Sequence, residues 1–295
     1  MQNQSSRLPD FTRMGPVTLA VADLERSINF YTGPLGMTLL GTSGDTHARA
    51  SVGVAGRPLL HLQERRNVRP QPNFSTGLYH VAILVPSRSD LGRVLINLAR
   101  HDYRLQGASD HLVSEALYLA DPDGNGLEIY RDRPRDQWRW QGDTVAMAVD
   151  PLDFEGVIRS AGDPNEPYTG MPERTTIGHV HLRVGDITVA RQFYVDVLGF
   201  DAVATMPSAL FVSAGRYHHH LGLNTWHSKG APPPPEDSVG LLEYTIVVPD
   251  QAALDAVSDR LARAGLRYNA RAGEVLVDDP WQNHIRLISE TEAGG

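Results

Sequence analysis

The stretches "VADLERSINFYTGPLGM" (residues 21–37) and "VGDITVARQFYVDVLGF" (residues 184–200) decide the fold, because they are two copies of one motif. Asp23 and Asp186, Phe30 and Phe193, Tyr31 and Tyr194, and Gly36 and Gly199 match at a constant offset of 163. The same offset relates "YHVAILVP" (79–86) to "LEYTIVVP" (242–249), and "LAR" at 98–100 to "LAR" at 261–263. A period held over that distance marks two homologous halves. Each half restarts its own pattern once: an alternating strand, an amphipathic stretch, then further strands. The starts fall near Pro16, His80, His179 and Glu243, with 64 residues between the two starts of each half. The repeating unit is therefore βαβββ, used four times in an α+β fold.

Local signals agree with that unit. In "SDLGRVLINLARHDY" (89–103), Leu91, Val94, Leu95 and Leu98 form one helical stripe, with Ser89 or Asp90 as its cap. Gly36 and Gly199 suit helix-ending turns, and "DPDGNG" (121–126) and "DPWQN" (279–283) suit turns between strands. The first half is expected over 12–134 and the second over 177–290. Between them, 135–176 turns to Pro, Gly, Trp and charge and reads as a linker, in which Trp138 and Trp140 are expected to pack. "GAPPPPED" (230–237) reads as a stiff polyproline connection between the third and fourth units.

Composition narrows the chemistry. A net charge of −8, from 27 basic and 35 acidic residues without a local basic run, argues against nucleic acid or an anionic membrane surface as partner. No apolar run approaches the ~20 residues of a membrane span, and Met1 to Asp10 lacks an apolar signal core, so a cytoplasmic location is the default expectation. With no Cys there are no disulfides, thiolate nucleophiles or thiolate metal sites, and any metal must be held by imidazole and carboxylate. The twelve His become the residues of interest.

In "DHLVSEALYLADPDGNGLEIY" (110–130), His111, Tyr118 and Glu128 occupy a strand, turn and strand where a plain hairpin carries aliphatic residues. Each has an ordinary explanation: a hydrogen-bonded strand histidine, a core aromatic, a surface carboxylate. "HHH" (218–220) could likewise be only a polar tract. Glu128 alternates with Leu127 and Ile129, however, so one face of its strand differs in kind from the other.

The four units and the motifs "FY…LG", "YHVAILVP" and "DPDGNGLEIY" resemble the vicinal oxygen chelate superfamily, which includes glyoxalases, bleomycin-resistance proteins and extradiol dioxygenases. The resemblance covers nearly the whole chain. More narrowly, "GLYHVAILVPSRSDL" (77–91), "DHLVSEALYLADPDGNGLEIYRDRP" (110–134), "GHVHL" (178–182) and "YHHHLGLNTW" (217–226) look like the catechol 2,3-dioxygenase-like branch. The resemblance implies that two modules close into one eight-stranded, cup-like barrel, with ligands projecting inward from first and last strands.

On that pattern the first-strand positions are Pro16, His80, His179 and Glu243, and the last-strand positions are approximately His61, then Glu128, then Arg286 in the fourth module. His80, His179 and Glu128 would make a two-histidine, one-carboxylate metal site if modules two and three share a cup. A one-with-two pairing would substitute His61 for His179. The segment from His111 to Ser114, followed by Tyr118 ten residues before Glu128, is similar to the family's last module, although its His-to-Tyr gap is slightly shorter. Module three carries a first-strand His and a later His cluster, as the family's penultimate module does. The expected pairing is two-with-three around the metal, leaving one-with-four as a second barrel without a ligand set.

The resemblance then implies a metal-dependent extradiol dioxygenase of aromatic catabolism, cleaving catechol or a substituted catechol with O2 at Fe(II), or at Mn(II). His219, with His220 close behind, would be the acid/base group, Tyr118 would bond a ring oxygen, His111 would deliver a proton, and His181 would stand beside the ligands. The partners would be a small aromatic diol and O2, with homo-oligomerisation common in the family. The alternatives are a glyoxalase- or epimerase-type metalloenzyme, with His220 or His61 as a fourth ligand, and a metal-free protein that sequesters small molecules.

Overall fold

The computed structural model describes residues 7–44 and 48–290, so most of the polar N-terminal stretch noted above lies outside the described residues. The first module is β1 (Arg13–Val21), α1 (Leu24–Thr32), β2 (Thr38–Ser43), β3 (Arg49–Val54) and β4 (Arg57–Glu64). The second is β5 (Gly77–Leu84), α2 (Arg88–Arg100), β6 (Gly107–Asp110), β7 (Ser114–Ala120) and β8 (Gly126–Asp132). A short hairpin of β9 (Trp140–Gln141) and β10 (Thr144–Val145), then α3 (Phe154–Ser160), precede the third module. That module is β11 (Thr176–Arg183), α4 (Ile187–Arg191, continuing as a π-helical turn over Gln192–Val197), β12 (Asp201–Met206), β13 (Ala209–Ser213) and β14 (Leu221–Asn224). The fourth is β15 (Gly240–Val248), α5 (Gln251–Arg263), β16 (Tyr268–Arg271), β17 (Glu274–Asp278) and β18 (His284–Ser289).

The repeated residues have repeated structural duties. Asp23 and Asp186 are N-caps, accepting from the free amides at the starts of α1 and α4, and Gly36 and Gly199 take positive φ of 72° and 91° where the chain leaves the helix. The cap of α2 is Ser87, which accepts from the Asp90 amide, and not Ser89 or Asp90. Pro86 keeps the preceding strand extended, and the helix starts as soon as a side-chain oxygen is available to cap it.

In every module the first strand pairs parallel with the last: β1 with β4, β5 with β8, β11 with β14 and β15 with β18. Two antiparallel joints then assemble two curled eight-stranded sheets. One has the order β16-β17-β18-β15-β1-β4-β3-β2, the other β12-β13-β14-β11-β5-β8-β7-β6. Modules two and three thus share one cup and modules one and four the other, so each sheet takes one module from each half. The linker segment packs as expected: Trp138 is buried against Tyr217, and half-buried Trp140 lies under Arg216. Beyond β10 the chain crosses the rim of the second-and-third-module cup, where Asp150 and Asp110 exchange backbone hydrogen bonds. No helix among the described residues is long and apolar enough to cross a membrane.

Candidate metal centre

The register of four neighbouring strands builds the site. His179 on β11 stands opposite Ala82 on β5, Ala82 opposite Glu128 on β8, and Glu128 opposite Tyr118 on β7. Residues in such a row project to the same face, and next-but-one strands lie about 9–10 Å apart. His179 and Glu128 therefore lean toward each other over the methyl of Ala82. His80, two residues before Ala82, points to the same face and pairs with His181. The spacing of ten between Tyr118 and Glu128 is the hairpin itself: the Asp121 carboxylate accepts the amides of Asp123 and Asn125, closing a turn that sets the two residues side by side.

Two register shifts in the β5–β11 joint adjust the aim. Gly178 is the extra residue between the pairs Ile177–Ile83 and His179–Ala82, and Tyr79 the extra one between His181–His80 and Leu182–Leu78. Such bulges twist a strand locally and re-aim its side chains. Here Tyr79 and His80 both reach the cavity.

The donor atoms converge. Glu128 Oε2 lies 2.9 Å from His80 Nε2 and 3.0 Å from His179 Nε2, and the two nitrogens are 3.3 Å apart. All three residues are buried, and they are the one such cluster of potential ligands among the described residues. Three donors on one face of an octahedron with bonds of about 2.1 Å stand about 3.0 Å apart, whereas a tetrahedron separates them by about 3.4 Å. The observed separations of 2.9, 3.0 and 3.3 Å span both values, so the donor set fits one metal ion held from a single side. Burial lowers the His179 pKa to about 4, which keeps that imidazole neutral, as a ligand must be. Burial alone would raise Glu128, but the neighbouring His179 and His80 outweigh it and hold the carboxyl well below its usual range. His179 Nδ1 is buried without a hydrogen-bond partner, so the polar capacity of this ring is met only at the cluster.

Above the donors opens a cavity of about 470 Å3. Tyr118, His111, His181 and His219 line it, so all three residues expected to do acid/base and hydrogen-bonding work reach the same space as the expected ligands. Two hydrogen-bond chains fix their ring protons. His111 Nδ1 donates to the Ala148 carbonyl at 2.6 Å, which leaves Nε2 to accept from the Tyr118 hydroxyl at 2.6 Å. Burial first, and Glu128 second, raise the Tyr118 pKa, so the phenol keeps its proton. On the other side, His218 Nε2 stands 2.9 Å from Asp132 Oδ1 and its Nδ1 2.8 Å from His219 Nδ1; with His218 neutral and donating to Asp132, His219 donates to His218 and keeps a lone pair on Nε2. The His219 ring centroid lies 4.1 Å from that of His179, and burial followed by the nearby His179 and His218 pushes its pKa well down.

Other expected residues fall elsewhere. His220 turns away from the cavity, its Nδ1 accepting from the Ala214 amide at 3.2 Å. His61 belongs to the other sheet, where it pairs with Thr18 and bonds Ser51, and Glu243 and Arg286 are in that sheet too. His61 therefore cannot replace His179, and neither it nor His220 offers a fourth donor. His181 faces the cavity beside His80, with Nε2 bonded to Asn224; a Cβ on the adjoining Gly222 would stand 2.8 Å from its ring. The sequence reading missed the His218–Asp132 pair, Ala82, and the wall built by Met147, Ala148 and Val149 of the linker. The "HHH" tract lies in a bend before β14 where His218 and His219 bond each other, so strand alternation gave no signal for His218.

Comparison with known proteins matches residues 13–129 and 176–285 to the family model of the Glyoxalase/Bleomycin resistance protein/Dioxygenase superfamily. A catechol-2,3-dioxygenase of Bacillus subtilis (strain 168) is 45% identical over 274 residues, which cover 91% of this chain and 94% of that protein. Among solved structures, a Bacillus subtilis protein with a provisional dioxygenase name aligns over 94% of this chain and 86% of its own, with a TM-score of 0.62 and 12% identity. Glyoxalase I from Zea mays aligns over 95% and 93%, with a TM-score of 0.58 and 17% identity. These two structural likenesses concern the fold.

Proposed function

The chain belongs to the glyoxalase/bleomycin resistance protein/dioxygenase superfamily, and from that premise we propose that it is an extradiol ring-cleaving dioxygenase. It would act on catechol or a substituted catechol, with O2, at a metal held by His80, His179 and Glu128. The observation that carries this reading is the three buried donors meeting within 3.3 Å of one another beneath an open cavity. Its similarity to a catechol-2,3-dioxygenase over nine-tenths of the chain supports the same chemistry. Fe(II) is the metal this donor set suits for oxygen chemistry, with Mn(II) as the other candidate. When bound, the metal supplies a common site at which the diol and O2 meet.

The chain's own residues do the rest. His219 Nε2, held as a lone pair by the His218–Asp132 chain, takes a proton from a catechol hydroxyl and returns one later. The Tyr118 hydroxyl, supported by His111, orients a ring oxygen, and the Tyr118–His111 pair delivers a proton on that side. Apolar walls exclude water from the reacting atoms. Both atoms of O2 enter the product, a ring-opened hydroxy-semialdehyde.

The glyoxalase- or epimerase-type alternative needs a fourth protein ligand, and the positions of His220 and His61 remove its two candidates. Anaerobic loading with Fe(II), and separately with Mn(II), followed by catechol and O2, tests the proposal. A yellow ring-cleavage product dependent on the metal is expected. No product with either metal would refute the proposal.

A further inference from the structure

The cavity is much larger than a bare catechol needs: its volume of about 470 Å3 falls within the ~300–1,000 Å3 range that encloses drug-sized ligands. Its polar lining includes the three donors, Tyr118, His111 and His219, with Tyr79 edge-on to Trp226. Its mouth is apolar and assembled from three distant parts of the chain: Val149 of the linker, Met206 at the end of β12 and Trp226 beyond β14. These side chains are 80%, 45% and 46% exposed, so large apolar surface faces water around one opening without a protein partner to cover it. Glu128 is the one formally charged side chain in the lining, and no Lys or Arg is present there. Arg183, the next cationic residue along β11 from His181, lies outside the lining, with Nη1 near the Asn73 carbonyl at 3.4 Å.

We propose that the preferred substrate is a catechol bearing an uncharged, apolar substituent that packs against Trp226, Met206 and Val149 while the diol faces the three donors. This proposal rests on the ring-cleaving reading above and names its substrate class. A carboxylated side chain would lose its hydration at this mouth and gain no Lys or Arg there. An alkyl chain gains about three- to fourfold in affinity for each methylene buried there.

The test is anaerobic calorimetry on the Fe(II)-loaded full chain with catechol, 4-propylcatechol and 3,4-dihydroxyphenylacetate, paired with turnover of each in air. The expected order is 4-propylcatechol at least about 10-fold tighter than catechol, and the carboxylate at least about 10-fold weaker. Trp226→Ala should shrink the propyl advantage, and Met206→Arg should raise the affinity for the carboxylate relative to catechol. Binding and cleavage of catechol without any propyl advantage would overturn the substituent assignment and leave the dioxygenase reading standing. Tight carboxylate binding that disappears in Arg183→Met would overturn it as well, by showing a cationic subsite. If no catechol binds or turns over, both readings fall together.

Discussion

Ala82 is the small residue over which the two flanking donors, His179 and Glu128, approach each other. It stands between His179 and Glu128 in the strand row and is fully buried, so any longer side chain would project into the point on which Nε2, Nε2 and Oε2 converge. Ala82→Leu should cost about 1–3 kcal/mol through overpacking and abolish Fe(II) uptake, while thermal unfolding stays cooperative. Unchanged iron content by elemental analysis would show that Ala82 does not set the approach of the donors. His219→Asn addresses the next step: kcat should fall by about 10²–10⁴-fold with iron content retained. Strand alternation and the spacing of a tight hairpin are local properties, and they made the Tyr118–Glu128 pairing legible; the grouping of His80, His179 and Glu128 and the choice of His219 came from the family resemblance. The roles of Ala82 and of the His218–Asp132 hydrogen bond were not legible. Each depends on partners from strands that only the folded register brings alongside, in the second case 86 positions apart.

At the scale of elements, the repeated "FY" and Asp-Pro turns serve a purpose beyond punctuation. The Tyr31 hydroxyl at the end of α1 donates to Asp121 at 3.1 Å, and Tyr194 after α4 donates to Asp279 at 2.8 Å. In each pair the tyrosine comes from one sheet's module and the aspartate from the other sheet's module, so two buried bonds fasten the two cups together. The aspartates also accept two backbone amides and an Asn side chain within their own turns. Tyr194→Phe leaves a buried acceptor short of one donor and should cost about 1–3 kcal/mol, read as a lower midpoint in urea with iron content unchanged. A midpoint equal to wild type would mean that the bond does not contribute to docking. The sequence repeat exposed Tyr31 and Tyr194 as paired positions at the offset of 163. Which turn each tyrosine meets was not legible, because helix and turn signals are local and this contact crosses between sheets.

At the scale of the whole molecule, the repeat is compatible with either pairing of the modules. An identical offset relates the halves whether module two faces module one or module three, so periodicity alone is silent on the choice. Only the ligand chemistry distinguished them, and the sheet order bears out the two-with-three pairing. Concentrating neutral histidines in that sheet has a consequence for acid stability. Burial lowers the pKa of His220 to about 3, below its unfolded value, so the fold favours the neutral ring. That contribution is present above about pH 6.5 and is lost progressively as pH falls toward about 3, amounting to about 2 kcal/mol at about pH 5. His220→Gln, which retains an acceptor for the Ala214 amide, should show a shallower loss of stability below about pH 6.5; identical slopes for the two proteins would contradict this assignment. The most direct test of the shared cup is the Fe(II) stoichiometry of the anaerobically loaded protein beside His80→Ala, Glu128→Ala and His179→Ala. The account predicts one iron per chain in wild type and near-complete loss in each variant, including the two whose altered histidines lie 99 positions apart; iron retained at full stoichiometry in any one of the three would contradict it.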